Sequence, residues 1–197
     1  MSKENNSQND LVRNIAIAIA VQETHDSKID DPLAKGLIHA ADSGTLSEVV
    51  KLLENSANPN VSFSWGTALT KAICSERDAL LKTECLLAAK ADPELLDMSG
   101  LTPLMIAAAN EKLDIIRLLV RNGANINSQA HPMQWTALMN ASCLGADSAV
   151  SELLSLNADL SLKSEHGLTA IDIAKSNGKH SVLKLFLKEL ERLKSKL

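Results

Sequence analysis

The stretch TPLMIAAANEKLDIIRLLVRNGANIN, residues Thr102 to Asn127, decides the fold because its pattern recurs along the chain. It predicts a threonine-initiated helix, a polar turn, a second helix that ends in two leucines, and an Ala-Asn loop. The initiating threonine and the loop alanine both repeat every 33 to 35 residues, at Thr67, Thr102, Thr136 and Thr169, and at Ala57, Ala91, Ala124 and Ala158. Two landmarks with one period predict a repeated supersecondary unit.

The residues inside this stretch explain the helix boundaries. The hydroxyl of Thr102 can cap a helix, and Pro103 is preset for the first helical position. Gly123 follows the second helix and can adopt the left-handed conformation that ends it. Between these boundaries one apolar face is predicted for the second helix, formed by Ile115, Ile116, Leu118 and Leu119.

The composition limits the classes of function. Of the 197 residues 45% are hydrophobic but only 2% are aromatic, so the core must consist of aliphatic side chains and alanine. The net charge is −4 with mixed signs, which argues against a nucleic-acid partner. The apolar segment Leu11 to Val21 is too short to span a bilayer and contains Arg13, so no membrane partner is expected.

The cysteines and the N-terminus bear on the compartment. The three cysteines, Cys74, Cys85 and Cys143, are odd in number and lack metal-ligand spacing, which favours a reducing environment. The first ten residues lack the basic start and apolar core of a secretory signal. We therefore expect a cytoplasmic protein, and separately we expect a monomer.

With these motifs the chain resembles the ankyrin-repeat family. The resemblance implies an all-α solenoid of about five helix-turn-helix repeats with short projecting β-turn fingers. We expect a flexible terminus at 1–10, an N-terminal capping helix and linker at 11–29, the repeat array at 30–190 and a charged tail of the last helix at 191–197. The expected units are 30–61, 62–95, 96–129, 130–162 and 163–190.

The chain departs from the family pattern at two kinds of position. The histidine that usually follows Thr-Pro-Leu is replaced by Thr70, Met105, Met139 and Asp172. The polar ties beneath the fingers are therefore not expected to follow the family norm. About two extra residues also lie between the helices of the second unit, near 75–82, either as an incidental insertion or as a loop that changes a groove wall.

The resemblance implies a binding surface on the concave face and the fingers. It places the following residues there as candidates for contact with a partner: Trp65, Met98, Leu101, Met133, Trp135, Leu144 and Leu168. An exposed tryptophan on a rigid loop is typical of an interaction hot spot. Alternatively, each tryptophan fills space within its own finger. The partner interpretation is favoured for Trp135, and the two are balanced for Trp65.

No motif for catalysis or for a cofactor is present. The five histidines, His25, His39, His131, His166 and His180, fall in different parts of the chain without ligand spacing. The sequence therefore predicts non-catalytic recognition of a partner protein, with no cofactor and no metal. Two alternatives stay open: an effector or adaptor delivered into another cell to recruit a host protein, and an enzyme or metal site assembled across the repeats.

Overall fold

A computed structural model describes residues 31–130 and 132–195. These residues form ten helices and one two-stranded sheet. In chain order they are α1 (Pro32–Asp42), α2 (Leu46–Glu54), β1 (Ser62–Phe63), β2 (Gly66–Thr67), α3 (Ala68–Cys74), α4 (Ala79–Ala88), α5 (Pro103–Ala109), α6 (Leu113–Arg121), α7 (Ala137–Leu144), α8 (Asp147–Ser155), α9 (Ala170–Ser176) and α10 (His180–Lys194). The expected flexible terminus at 1–10 and capping helix at 11–29 lie outside the described residues.

The helices pack as five antiparallel pairs in two layers. The first helix of each pair contacts the first helix of the next, so α1, α3, α5, α7 and α9 form an inner layer. The second helices, α2, α4, α6, α8 and α10, contact one another in the same order and form an outer layer. Each pair therefore buries its apolar faces mainly against its neighbours in the stack, as in other solenoids. The prediction of an all-α solenoid of helix pairs is confirmed.

The recurring threonines start the inner helices as predicted. The side chains of Thr67, Thr102, Thr136 and Thr169 each accept a hydrogen bond from the amide three residues later. At two of the positions where the sequence lacks the usual histidine, a polar side chain completes a capping box. Thr70 Oγ1 accepts from the Thr67 amide at 3.1 Å, and Asp172 accepts from the Thr169 amide at 3.0 Å. The other two positions, Met105 and Met139, are buried in the core.

The outer layer contains a charged side chain within its core. Lys82 is fully buried, and its Nζ donates to the carbonyl of Ala41 at 3.2 Å and to Ser75 Oγ at 2.9 Å. Counted back from the helix ends, Lys82 of α4 takes the position that Ile115 holds in α6 and Ala149 holds in α8. The lysine therefore replaces an apolar core residue and links α4 to the last turn of α1. Ser75, the residue that follows α3, provides the second acceptor.

Side chains between the repeats hold the loops in place. Asn60 bridges to the next repeat, because its amide nitrogen donates to the carbonyl of Lys90 at 2.9 Å and its oxygen accepts from the amide of Asp92 at 2.7 Å. The same kind of tie recurs along the stack, from Glu94 to Asn125 and Ser128, from Asn127 to Asp159, and from Gln129 to Lys163. The loops between the pairs are thus fixed to one another at successive repeats.

Candidate functional site

Four loops project from the start of the inner helices, and we call them fingers 1 to 4 (residues 62–67, 97–101, 130–135 and 164–168). Finger 1 is an antiparallel hairpin in which Ser62 pairs with Thr67 and Phe63 with Gly66. The other fingers are each closed by one backbone hydrogen bond of 2.9 Å from their first residue. The pairs are Asp97 to Leu101, Ala130 to Trp135, and Ser164 to Leu168.

Trp65 lies at the tip of finger 1 and is held by its neighbour. The indole stacks on the ring of Phe63 with the ring centroids 5.1 Å apart and the planes 5° from parallel. Phe63 itself is buried, and Lys35 Nζ lies 5.7 Å from the centroid of its ring. Trp65 stays 49% exposed. The side chain is therefore supported from beneath while one face of it remains open to solvent, the geometry that an aromatic anchor needs.

Trp65 shares a cavity with finger 2. This cavity has a volume of about 190 Å³, and Met98, Ile106 and Lys71 also line it. Lys71 Nζ lies 3.9 Å from a carboxylate oxygen of Asp42 at the edge of this region. The walls thus combine apolar side chains with the Lys71 cation and the Asp97 carboxylate, and Trp65 and Met98 are both partly exposed. Such a cleft suits an apolar side chain from another molecule.

The other predicted contact residues fall into two groups. Met133, Leu144 and Leu168 are exposed, like Met98. Leu144 lies at the end of α7 away from its finger, roughly 12 Å along the helix by its rise per residue. The structure therefore brings Trp65 and Met98 together, and it distributes the other three along the stack.

Leu101 and Trp135 differ from this exposed group. Both are half-buried and pack against the hydrophobic core. Trp135 also forms the bridge that closes finger 3. A role for these two residues in binding stays a prediction, but both also contribute to the packing of their own fingers.

Of the residues that line the cavity, sequence reasoning predicted only Trp65 and Met98, and Lys71 and Ile106 are among those it missed. Lys71 and Ile106 are each the fourth residue after a capping threonine, at equivalent places one turn into α3 and α5. That register could have identified them, because it places both on the same side of the stack as the fingers. The exposed leucines of other elements were also missed; these include Leu80 and Leu81 at the start of α4 and Leu187 on α10.

The described groups show no arrangement for metal binding or nucleophilic catalysis. Within residues 31–130 and 132–195, no three histidine, cysteine or acidic side chains cluster as a metal site would require. Burial raises the pKa of the Cys74 thiol, so this cysteine in the cavity is a weak nucleophile at neutral pH. Ser75 contacts Lys82, but both side chains are buried, and the serine hydroxyl also lies 3.0 Å from the carbonyl of Arg77.

The family of the chain follows from comparison with known proteins. A family model described as ankyrin repeats (3 copies) matches residues 37–130 and 80–164, which together exceed half of the chain. The chain therefore belongs to the ankyrin-repeat family, and the resemblance found in the sequence is confirmed. Repeats of this family form protein–protein interaction modules that are generally non-catalytic.

Several curated relatives are longer proteins. The chain is 40% identical over 79 residues to Ankyrin repeat and SAM domain-containing protein 6 of Rattus norvegicus, covering 40% of this chain and 9% of the rat protein. It is 32% identical over 143 residues to the B-cell lymphoma 3 protein homolog of Mus musculus, covering 72% and 29% of the two chains. It is also 34% identical over 121 residues to the Transient receptor potential cation channel subfamily A member 1 homolog of Caenorhabditis elegans, covering 61% and 10%. The chain spans less than a third of each.

Among the residues that the structure describes, no helix has the length and apolar character needed to cross a bilayer.

Proposed function

We propose that this chain binds a partner protein through its fingers and the adjoining surface of its inner helices, and that Trp65 is the principal anchor. The observation that carries the proposal is the half-exposed indole stacked on buried Phe63 and facing Met98 across a cavity. A folded protein gains nothing from leaving a large aromatic surface in water. Contact with a partner would bury this surface.

The rigidity of the fingers supports the proposal. Binding costs less free energy when the contacting groups are already ordered in the free protein. Here Phe63 supports the indole, and ties such as that of Asn60 to Lys90 hold successive loops together. The amide of Glu165 also donates to the carbonyl of Met133 at 3.0 Å, which joins finger 4 to finger 3. The partner therefore meets a surface that does not have to order its loops.

The cavity favours a particular kind of contact. Its walls of Trp65, Met98 and Ile106 suit an aliphatic or aromatic side chain of the partner. Lys71 and Asp97 also line the cavity, so a donor and an acceptor are both available to polar groups next to that side chain. We therefore propose that the partner inserts an apolar side chain whose neighbouring groups are polar.

The test of this proposal is a pair of matched substitutions. Affinity capture followed by cross-linking mass spectrometry identifies the partner and the contact site, and titration calorimetry then measures binding. We expect Trp65→Ala to weaken binding by about 2 kcal/mol or more, since hot-spot tryptophans lose this much on truncation. Leu187→Ala, which also removes an exposed apolar side chain but lies on α10, should leave the affinity unchanged.

Trp135 needs a separate measurement because it packs against the core. We expect Trp135→Ala to lose binding, as the sequence predicts, but also to lower the free energy of unfolding. Urea titration of the same variant separates the two effects. If Trp65→Ala binds the partner as well as the wild type does, the proposed anchor is wrong even if Trp135→Ala binds poorly.

A further inference from the structure

A second open surface lies at the N-terminal end of the stack, between α1 and α2. It is a groove of about 640 Å³ lined by Gly36, Ala40 and Leu52 together with polar and charged residues that include Glu48 and Lys51. A Cβ built on Gly36 would lie 3.5 Å from the Leu52 side chain, an ordinary van der Waals distance, so α1 tolerates a side chain at this position. This groove is separate from the fingers, and the proposed function does not use it.

Comparison with the other repeats shows that the groove lacks a cover. The carbonyl of Leu52 accepts a hydrogen bond from the loop alanine of its repeat, and Leu86, Leu119 and Leu153 do the same in theirs. These four leucines are therefore equivalent. The latter three are fully buried, whereas Leu52 is only half-buried. The difference arises because a preceding helix pair packs against each later pair, and the described chain has no pair before α1.

We infer that residues 11–21 of this same chain cover the groove and act as the missing neighbour of α1 and α2. The occupant is a single apolar segment, LVRNIAIAIAV, in which Arg13 is the one charged residue. Its leucine, isoleucine and valine side chains can cover the exposed part of Leu52, which is favourable because apolar surface is removed from water. Alanines alternate with the isoleucines, so the segment can approach Gly36 and Ala40 closely.

The length of chain between the segment and the groove is sufficient. Nine residues, 22–30, separate Val21 from Asp31, which caps α1. Extended chain covers about 3.3 Å per residue, so these residues reach roughly 30 Å. The eleven residues of α1 are only about 16 Å long at the helical rise. The segment can therefore lie along the full length of the groove.

Hydrogen–deuterium exchange of the full chain tests the inference. We expect the amides of residues 11–21 to exchange at least about tenfold more slowly than an unstructured chain would. The double substitution Ile15→Asp/Ile19→Asp puts two charges on residues four apart, and it should abolish this protection and speed exchange in α2. The matched control Asn5→Asp/Ser7→Asp adds the same charge outside the apolar segment and should change nothing.

A substitution in the groove gives an independent check. Gly36→Arg fills the groove, and arginine favours a helix more than glycine does, so α1 should stay folded. It should release residues 11–21 as fully as the double substitution does, with the circular dichroism of the array retained. The inference is overturned if residues 11–21 exchange freely in the wild type, or if Gly36→Arg leaves their protection intact. It is also overturned if that protection rises with protein concentration, which would show that a second copy covers the groove.

Discussion

A lysine side chain that leaves water loses the hydration of its ammonium group, and hydrogen bonds to neutral acceptors restore only part of that free energy. Lys82 is in this situation, because its two hydrogen-bond acceptors are the Ala41 carbonyl and Ser75 Oγ. Hydrogen bonds from Thr45 lower the pKa of the Glu48 carboxyl, and the charges of His39 and then Lys82 lower it further by smaller amounts. The equivalent positions in α6 and α8 are apolar.

We therefore predict that Lys82→Met raises the free energy of unfolding by about 1 to 2 kcal/mol, since apolar replacement of a buried charge is often stabilising. Lys82→Ala should instead lower it by about 2 kcal/mol or more, because it leaves a cavity. Urea unfolding of both variants measures the difference. A loss of stability in Lys82→Met would mean that the hydrogen bonds to Ala41 and Ser75 outweigh the desolvation of the ammonium.

The sequence could not predict the burial of Lys82, and the reason is physical. Its backbone acceptor, Ala41, lies 41 residues earlier in the chain, so no local pattern records the contact. The degree to which each of the two tryptophans is exposed could not be predicted from the sequence either. Trp65 is the second residue of a two-residue hairpin loop, whereas Trp135 is a bridge partner inside its finger. The distinction depends on finger geometry, which residue types alone do not determine.

Helix starts, by contrast, were predictable because their stabilising contacts are local. Thr102 accepts from the amide of Met105 only three residues later, so the cap is visible in the sequence as a spacing. The contacts made by the residue after Thr-Pro-Leu were harder to predict. Because this residue is not the family's histidine, the usual polar contacts were not expected there. Thr70 and Asp172 instead form capping boxes with Thr67 and Thr169. The sequence thus did predict the threonine-capped start of the inner helices. Thr70 and Asp172, which depart from the family pattern, stabilise that start further.

The acidic capping boxes predict a pH dependence of stability. Hydrogen bonds from the side chain and backbone of Thr169 lower the pKa of Asp172. An unfolded aspartate titrates at about 4, so this contribution is present above that pH and is lost as the pH falls through the lower folded pKa. We predict that Asp172→Asn lowers the melting temperature at pH 7 by about one to three degrees, and that the difference from wild type shrinks by pH 3.

Differential scanning calorimetry at both pH values measures this change. Glu54→Gln removes an exposed acid at the end of α2 instead of one at a helix start, and it serves as the control. The control should show no comparable loss at pH 7. An equal difference between Asp172→Asn and wild type at pH 7 and pH 3 would contradict an electrostatic role for the Asp172 capping box.

At the scale of the whole molecule, stability depends on contacts between neighbouring pairs. Contacts within either layer join successive pairs, and no sheet connects the two ends of the described array. The free energy of such a stack is approximately a sum of repeat and interface contributions. Weakening one central interface should therefore allow the two halves of the molecule to unfold separately. A globular domain of the same size, with one shared core, should still unfold as a single unit.

Leu119 is the place to test this uncoupling. Its side chain is fully buried on α6, and it is the equivalent of Leu52, facing the preceding pair. We predict that Leu119→Ala costs about 2 to 5 kcal/mol of unfolding free energy and broadens the urea transition into two steps. The first half of the chain should unfold at a urea concentration different from that of the second.

The two tryptophans of the chain make the halves separately visible, because Trp65 lies before α6 and Trp135 after it. In single-tryptophan variants, Trp135→Phe reports on the first half and Trp65→Phe on the second. Their fluorescence midpoints should coincide in the otherwise wild-type array and separate once Leu119→Ala is added. Leu187→Ala, at an exposed position of the last helix, should leave them coincident. If the midpoints move together when Leu119 is truncated, the coupling extends beyond neighbouring pairs, and the array unfolds as one cooperative unit.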